Sequence, residues 1–272
     1  MNQKTLKNLK PRLITGLAFG FGVITLVYLN AFTFATLFLF FLVAGIWELF
    51  SLFENQSKPR IKIFSIILGI TLFSMCFLHA SSNFDPRYFA FLMPAFFLLF
   101  YFNLYTHSTQ KHFAPFVNLI GVLYVALPFS LLNYLVFSSS GEYEPLNLLG
   151  VILLIWTNDS FAYFTGSMIG KNKLFERISP GKTWEGFIGG FLFCLGMGVL
   201  IGMYLGNVPK WMLFAVIMSV FGTIGDLVES HMKRLAGIKD SGKILPGHGG
   251  VLDRFDALIF ATPFIFVVDL FL

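Results

Sequence analysis

Long apolar runs, broken only by short polar segments, restrict this chain more than any other feature. Several exceed the roughly 18–20 residues that a helix needs to cross about 30 Å of hydrocarbon. The balance of residues agrees: 56% are hydrophobic, only 12% are charged and Phe alone occurs 36 times. Mean hydropathy is +0.77, far above that of an ordinary soluble domain. The chain reads as an integral membrane protein, for which bilayer lipid is the main solvent.

Apolar runs between polar punctuation predict about nine spans: 13–30, 31–53, 61–79, 87–106, 115–137, 146–170, 186–206, 210–229 and 255–272. The first two are separated by little more than Leu29 and Asn30, which requires a tight turn at the surface. The basic start (Lys4, Lys7, Lys10, Arg12) followed by an apolar stretch resembles a secretory signal. No small-residue cleavage site follows it, so a retained first span is expected. With Met1 on the cytoplasmic side, 17 of the 19 Lys and Arg residues fall inside, and only Arg87 and Lys210 fall outside. An odd number of spans then puts the C-terminus outside. The net charge of +5 is therefore a topology signal and carries no argument for nucleic acid.

Cys76 and Cys194 both lie in apolar segments and read as buried apolar residues, not as a disulfide framework. No internal repeat, low-complexity tract or long linker marks a second soluble domain. The expectation is one integrated membrane domain, with N-terminal helices over 1–140 and a C-terminal catalytic region over 141–272. The two longest polar segments, roughly 171–185 and 230–254, are both cytoplasmic in this topology, so function is sought there.

The densest polar constellation runs from Asp226 to Asp256. Asp226 and Glu229 end one predicted span, and Asp253 and Asp256 open the next. Each pair is spaced i, i+3, which puts both carboxylates on one helical face. Carboxylates at membrane depth are costly unless paired or cation-bound, so they are site candidates. Oxygen ligands of this kind suit Mg²⁺, which keeps waters and substrate phosphates in its shell. Helix-end charges at the headgroup level would be the plainer reading, favoured for Asp253 and Asp256 by the helix dipole. Four acids within 31 residues, around a glycine-rich turn and five cations, argue for a site. Lys233, Arg234, Lys239, Lys243 and Arg254 are the charges that grip phosphates, although any one of them could serve positive-inside anchoring. Pro246-Gly247-His248-Gly249-Gly250 reads as a tight turn whose backbone can approach an anion. His248 within it could equally be a capping or surface residue. Asp159, a lone acid in an apolar span, could make a helix–helix contact or act directly.

The run from Ser230 to Asp256, SHMKRLAGIKDSGKILPGHGGVLDRFD, closely resembles the signature of the phosphatidate cytidylyltransferase (CDP-diacylglycerol synthase) family. That signature joins Ser-x-x-Lys-Arg, Lys-Asp, His-Gly-Gly and Asp-Arg-x-Asp at fixed spacing. The likeness extends upstream through Asn158–Gly166 and Ile178–Gly186, covering about residues 150–260, while the first 140 residues match only in hydropathy. Gly181 stands where many members carry a second lysine, and Ser167 where a basic residue is common.

The resemblance implies a homodimeric, all-helical enzyme of the bacterial inner membrane that uses CTP and phosphatidic acid at a cytoplasmic site. It implies Mg²⁺ and leaves room for a second cation. By motif position, Asp226, Asp253 and Asp256 are the expected metal-binding and catalytic carboxylates, with Asp159 and Lys239 as further catalytic candidates. Ser179, Lys182, Thr183, Ser230, Lys233, Arg234, His248, Gly249, Gly250 and Arg254 are the expected substrate-binding residues. A CTP-dependent lipid kinase could use similar parts. A transporter would also combine many spans with intramembrane acids, but its acids should spread along several spans, whereas here only Glu48 and Asp159 lie deep.

Overall fold

The computed structural model describes residues 3–52, 59–81, 84–95, 98, 119–238, 241–242 and 249–272, and the side chains of all of these except 3–14 and 59–61. Helices dominate: α1 (Gln3–Leu29), α2 (Ala31–Leu52), α3 (Pro59–Ala80), α4 (Leu127–Val136), α5 (Leu146–Ile169), α6 (Trp184–Leu205), α7 (Val208–Leu235) and α8 (Leu252–Phe271). Five stretches within them are long and apolar enough to cross a membrane: Ala31–Leu52, Lys62–Ala80, Leu146–Ile169, Trp184–Leu205 and Val208–Leu235. This is a helical membrane protein. One departure from an all-helical chain is an antiparallel hairpin of β1 (Lys173–Phe175) and β2 (Ser179–Thr183), paired in register Lys173 to Thr183 and Phe175 to Ser179.

Packing divides the chain into two compact units, 1–127 with 240–254 and 128–239 with 255–272. In the first, α2 buries a phenylalanine-rich face: Phe34, Phe38, Phe41 and Phe50 are all buried, and Phe34 meets Phe73 of α3 with ring centroids 6.3 Å apart. The turn between α1 and α2 is closed by Asn30, whose Oδ1 accepts from the Phe32 and Thr33 amides at 3.0 and 2.9 Å. A side-chain cap thus makes the tight connection possible.

In the second unit α5, α6 and α7 pack against one another along small residues. Gly186, Gly190, Cys194, Gly198 and Gly202 recur every four residues on α6 and are all buried. Four residues is close to one helical turn, so they form one flat stripe. Backbones approach closely across it. A Cβ on Gly190 would stand 2.7 Å from the Asn158 carbonyl oxygen of α5, and one on Gly198 would stand 2.7 Å from the Trp211 carbonyl oxygen of α7. Cys194 sits between the two seams, its Sγ 3.6 Å from both the Leu154 and the Ala215 carbonyl oxygens. Membrane helices lack a hydrophobic drive to associate, and small residues that admit close van der Waals contact take its place.

Arg87 and Lys210, the two cations that the expected topology leaves outside, have acidic partners. Arg87 holds Asp85 through Nε and Nη2 at 2.8 and 2.6 Å, which keeps the Asp85 carboxyl below its usual range. Lys210 at the start of α7 pairs with Asp269 at the end of α8 at 2.6 Å, with each side chain 18% exposed. Removing one member strands the other, whereas removing both does not. Lys210→Met should therefore cost about 1–2 kcal/mol and lower the melting temperature in detergent, and adding Asp269→Asn should restore most of it. Additive losses in that double-mutant cycle would rule out the pairing.

Candidate active site

Polar groups gather in each unit, and each gathering is described by itself. In the second unit, α7 continues to Leu235, well past the predicted end at 229. Asp226 and Glu229 thus lie inside a helix, about nine and six residues before its end. Extending α7 puts two further turns of backbone under Ser230, Lys233 and Arg234. Asp226 is half-buried, with Oδ2 2.6 Å from Lys182 Nζ and Oδ1 accepting from Ser230 Oγ at 3.2 Å. Glu229 is buried and ion-paired with Lys233 one turn on. Arg234 is exposed, and its Nη1 reaches the Ile238 carbonyl at 3.4 Å.

Lys182 arrives from β2, so the hairpin carries a cation onto an acid of α7. Its base is fixed by two local devices. The Thr183 hydroxyl accepts from the Gly186 amide at 3.2 Å, capping α6, and the Glu185 carboxylate gathers the Lys171 and Asn172 amides at 3.0 and 3.2 Å. Thr183 is buried in that cap, while Ser179 is half-buried in β2.

Asp256, on the first turns of α8, is half-buried and lies in the field of Asp226, Glu229 and Asp159. Gly225 permits this approach: a Cβ there would stand 2.6 Å from the Asp256 carbonyl oxygen. Asp159 of α5 is exposed in the single chain, feels the charges of Lys182 and Asp226, and is 3.5 Å from the Asn158 amide nitrogen. Four carboxylates thus face two contacting ammonium groups, an arrangement with negative charge in excess.

In the first unit Asp253 Oδ2 accepts from three donors: the Gly250 amide at 2.7 Å, and the Ser241 amide and hydroxyl, both at 3.0 Å. Gly249 takes φ +83°, a left-handed conformation open to glycine, and a Cβ on it would stand 2.6 Å from Asp253 Oδ2. Arg254 is exposed. Lys239 and His248 lie outside the described residues. Among the described residues, no group of three or more His, Cys, Asp or Glu side chains is disposed to hold a metal ion.

Acids and cations gathered among apolar helices can hold a charged ligand, and the comparison with known proteins bears on which. The cytidylyltransferase family model matches residues 10–271, nearly the whole chain. The chain belongs to the cytidylyltransferase family. A Bacillus subtilis (strain 168) relative named phosphatidate cytidylyltransferase is 32% identical over 270 residues, covering 95% of this chain and 97% of its own. One of the same name from Staphylococcus aureus (strain COL) is 52% identical over 120 residues, 43% of this chain and 46% of that one. The Staphylococcus saprophyticus protein is 47% identical over 119 residues. The aligned stretch spans under half the length of the staphylococcal relatives.

Within this cytidylyltransferase family member, the structure adds a residue to which the sequence reading gave no role. Glu48 of α2 is 3% exposed and reaches the loop that carries the signature. Its Oε1 accepts from the Val251 amide at 3.0 Å, and its Oε2 from the Leu252 amide at 2.9 Å and from Ser241 Oγ at 3.2 Å. The only sequence signal was an acid in an otherwise apolar span.

Proposed function

We propose that this chain transfers the cytidylyl group of CTP to phosphatidic acid, releasing pyrophosphate and forming CDP-diacylglycerol. The observation that carries the reading is the acid and lysine cluster of Asp159, Lys182, Asp226, Glu229, Lys233 and Asp256, in a chain matched by the cytidylyltransferase family over nearly its whole length.

The phosphate monoester of phosphatidic acid is already a nucleophile, so no strong base is required. One of its oxygens attacks the α-phosphorus of CTP in line. A new P–O bond forms, the α–β anhydride bond breaks, and pyrophosphate leaves with the electron pair. The chain's task is to position two anions and offset their charge. Lys182, Lys233, Arg234 and Arg254 serve that end, with Ser179, Thr183, Ser230, Gly249 and Gly250 as the surrounding substrate contacts; Lys239 and His248 join them on sequence position.

Mg²⁺ fits the donor set of the second unit. The donors are hard carboxylate oxygens in excess over lysines, and Mg²⁺ needs only one or two carboxylates besides waters and substrate phosphates. Asp226 and Asp256 would hold it, and motif position assigns Asp253 the same role. When bound, the ion supplies further neutralisation of phosphate charge.

Nine spans, a cytoplasmic site, the plasma membrane, a homodimer and a second cation complete this reading. The 20-residue α8 is long enough to add a span to the five apolar stretches. Soluble CTP reaches a cytoplasmic site while the lipid tails stay in the bilayer.

The test uses purified protein, phosphatidic acid, Mg²⁺ and CTP labelled on the α- or the γ-phosphate. Label in extracted lipid from the α position alone is expected. Label from the γ position alone would make the protein a kinase, and no lipid label from folded protein would discard the transferase reading.

A further inference from the structure

Glu48 is a carboxylate buried in an apolar helix, and nothing in the proposed chemistry uses it. Such a group is stable only where donors replace water. Its donors here, the Val251 and Leu252 amides and the Ser241 hydroxyl, share one short stretch of chain with Asp253. Val251 and Leu252 open α8, and the first amides of a helix have no acceptor within the helix. Glu48 supplies that acceptor together with a negative charge at the positive end of the helix dipole.

The two carboxylates are linked through Ser241. Its hydroxyl is 3.2 Å from Glu48 Oε2 and 3.0 Å from Asp253 Oδ2, and its single proton can serve one of them at a time. The Ser241 amide and the Gly250 amide complete the hold on Asp253 Oδ2. Gly242 and Gly250 lie so close to the Glu48 carboxylate that a Cβ on either would overlap it. The Ser241–Gly242 and Gly249–Leu252 segments therefore flank Glu48, and donors from the same segments hold Asp253.

We propose that Glu48 is a positioning residue for the reaction: it fixes the Ser241–Gly242 and Gly249–Leu252 segments, and through them it sets the orientation of Asp253. The proposal rests on the cytidylyltransferase reading for what Asp253 does, but not for the contacts that hold it. A leucine at position 48 would bury as well and leave the Val251 and Leu252 amides without an acceptor. A glutamine would present an NH₂ group where the carboxylate takes donors, so at least one contact would be lost.

The experiment compares wild type with Glu48→Gln, Glu48→Asp and the milder Ser241→Ala, using hydrogen exchange in detergent, thermal unfolding and label transfer. Glu48→Gln should speed exchange of the Gly250–Leu252 amides by at least about 10-fold, leaving α5–α7 protected. It should lower kcat by about 10- to 100-fold, the range seen when a group that orients a ligand is removed, with KM for CTP within about threefold of wild type. Glu48→Asp should recover part of the loss, and Ser241→Ala should fall between. Unchanged exchange at Gly250–Leu252 would overturn the proposal, as would protection lost alike in every helix, or a kcat per folded molecule equal to wild type. Exchange is read without substrate, so a wild-type protein that transfers no α-label defeats the transferase reading and leaves the positioning role to be decided on exchange alone.

Discussion

Asp256→Asn is expected to lower α-label transfer by about 10²- to 10³-fold, equivalent to roughly 3–4 kcal/mol of transition-state stabilisation, while leaving the fold intact. The substitution keeps the shape of the side chain and removes one negative charge. In the protein without ligand the carboxyl lies among the like-signed groups Asp226, Glu229 and Asp159, so a neutral amide there adds no electrostatic cost. Melting should stay level or rise as turnover collapses. Opposite movement of stability and activity marks a group held for chemistry and not for packing. Asp226→Asn is a less clean test, because it also removes the ion pair with Lys182. A third measurement closes the argument: millimolar Mg²⁺ should raise the melting temperature of the wild type more than that of Asp256→Asn. Turnover near wild type, or an equal Mg²⁺ effect on both proteins, would remove Asp256 from the metal-binding set.

The same carboxylates show how far a one-dimensional reading carries. Asp226, Asp253 and Asp256 stand out because acids are scarce in apolar sequence, and the i, i+3 spacing places them correctly on helices. What spacing cannot supply is the partner. Lys182 is 44 positions from Asp226 in sequence and meets it because a short hairpin, invisible to hydropathy, turns β2 toward α7. The helix outruns the predicted span for a related reason. Hydropathy falls at Asp226, where charge begins, but the hydrogen-bond ladder continues for more than two turns. A membrane boundary and a helix boundary are different things.

Glu48 marks the larger gap. It lies about 200 residues from the amides it accepts, and no local pattern joins a lone acid in α2 to a glycine turn before α8. Sequence alone suggests that the backbone of Pro246–Gly250 can approach an anion, because glycines with exposed amides commonly make such a cradle. Among the described residues, the Gly250 amide donates to Asp253, and the Val251 and Leu252 amides that follow it donate to Glu48. Arg87 and Lys210, the two cations expected outside, have acidic neighbours that the sequence pattern does not single out, Asp85 and Asp269. By contrast, the stripe of Gly186, Gly190, Cys194, Gly198 and Gly202 was open to inspection as a repeat of four.

That stripe yields the largest expected effect on folding. A Cβ on Gly190 would lie 2.7 Å from the Asn158 carbonyl oxygen and 2.9 Å from the Ala162 Cβ. Neither obstacle is the end of a flexible side chain, so α5 and α6 must separate to admit it. Gly190→Ala should cost about 1–3 kcal/mol, the usual penalty for overpacking. Gly190→Leu should prevent the second unit from assembling and leave little monodisperse protein after extraction. Gly196, six residues on, is exposed and has open space where a Cβ would stand. Gly196→Ala should therefore be neutral or stabilising by up to about 1 kcal/mol, since alanine is the better helix former. The matched pair separates the seam from a general intolerance of α6 to substitution, because both changes add one methyl group to the same helix. Thermal unfolding of the two alanine variants decides it, and equal melting would show that α5 and α6 do not depend on backbone contact at Gly190. The seam also has a functional reach. Asn158, whose carbonyl oxygen Gly190 approaches, precedes Asp159, so a shift of α5 that merely weakens folding should also move an acid of the candidate site.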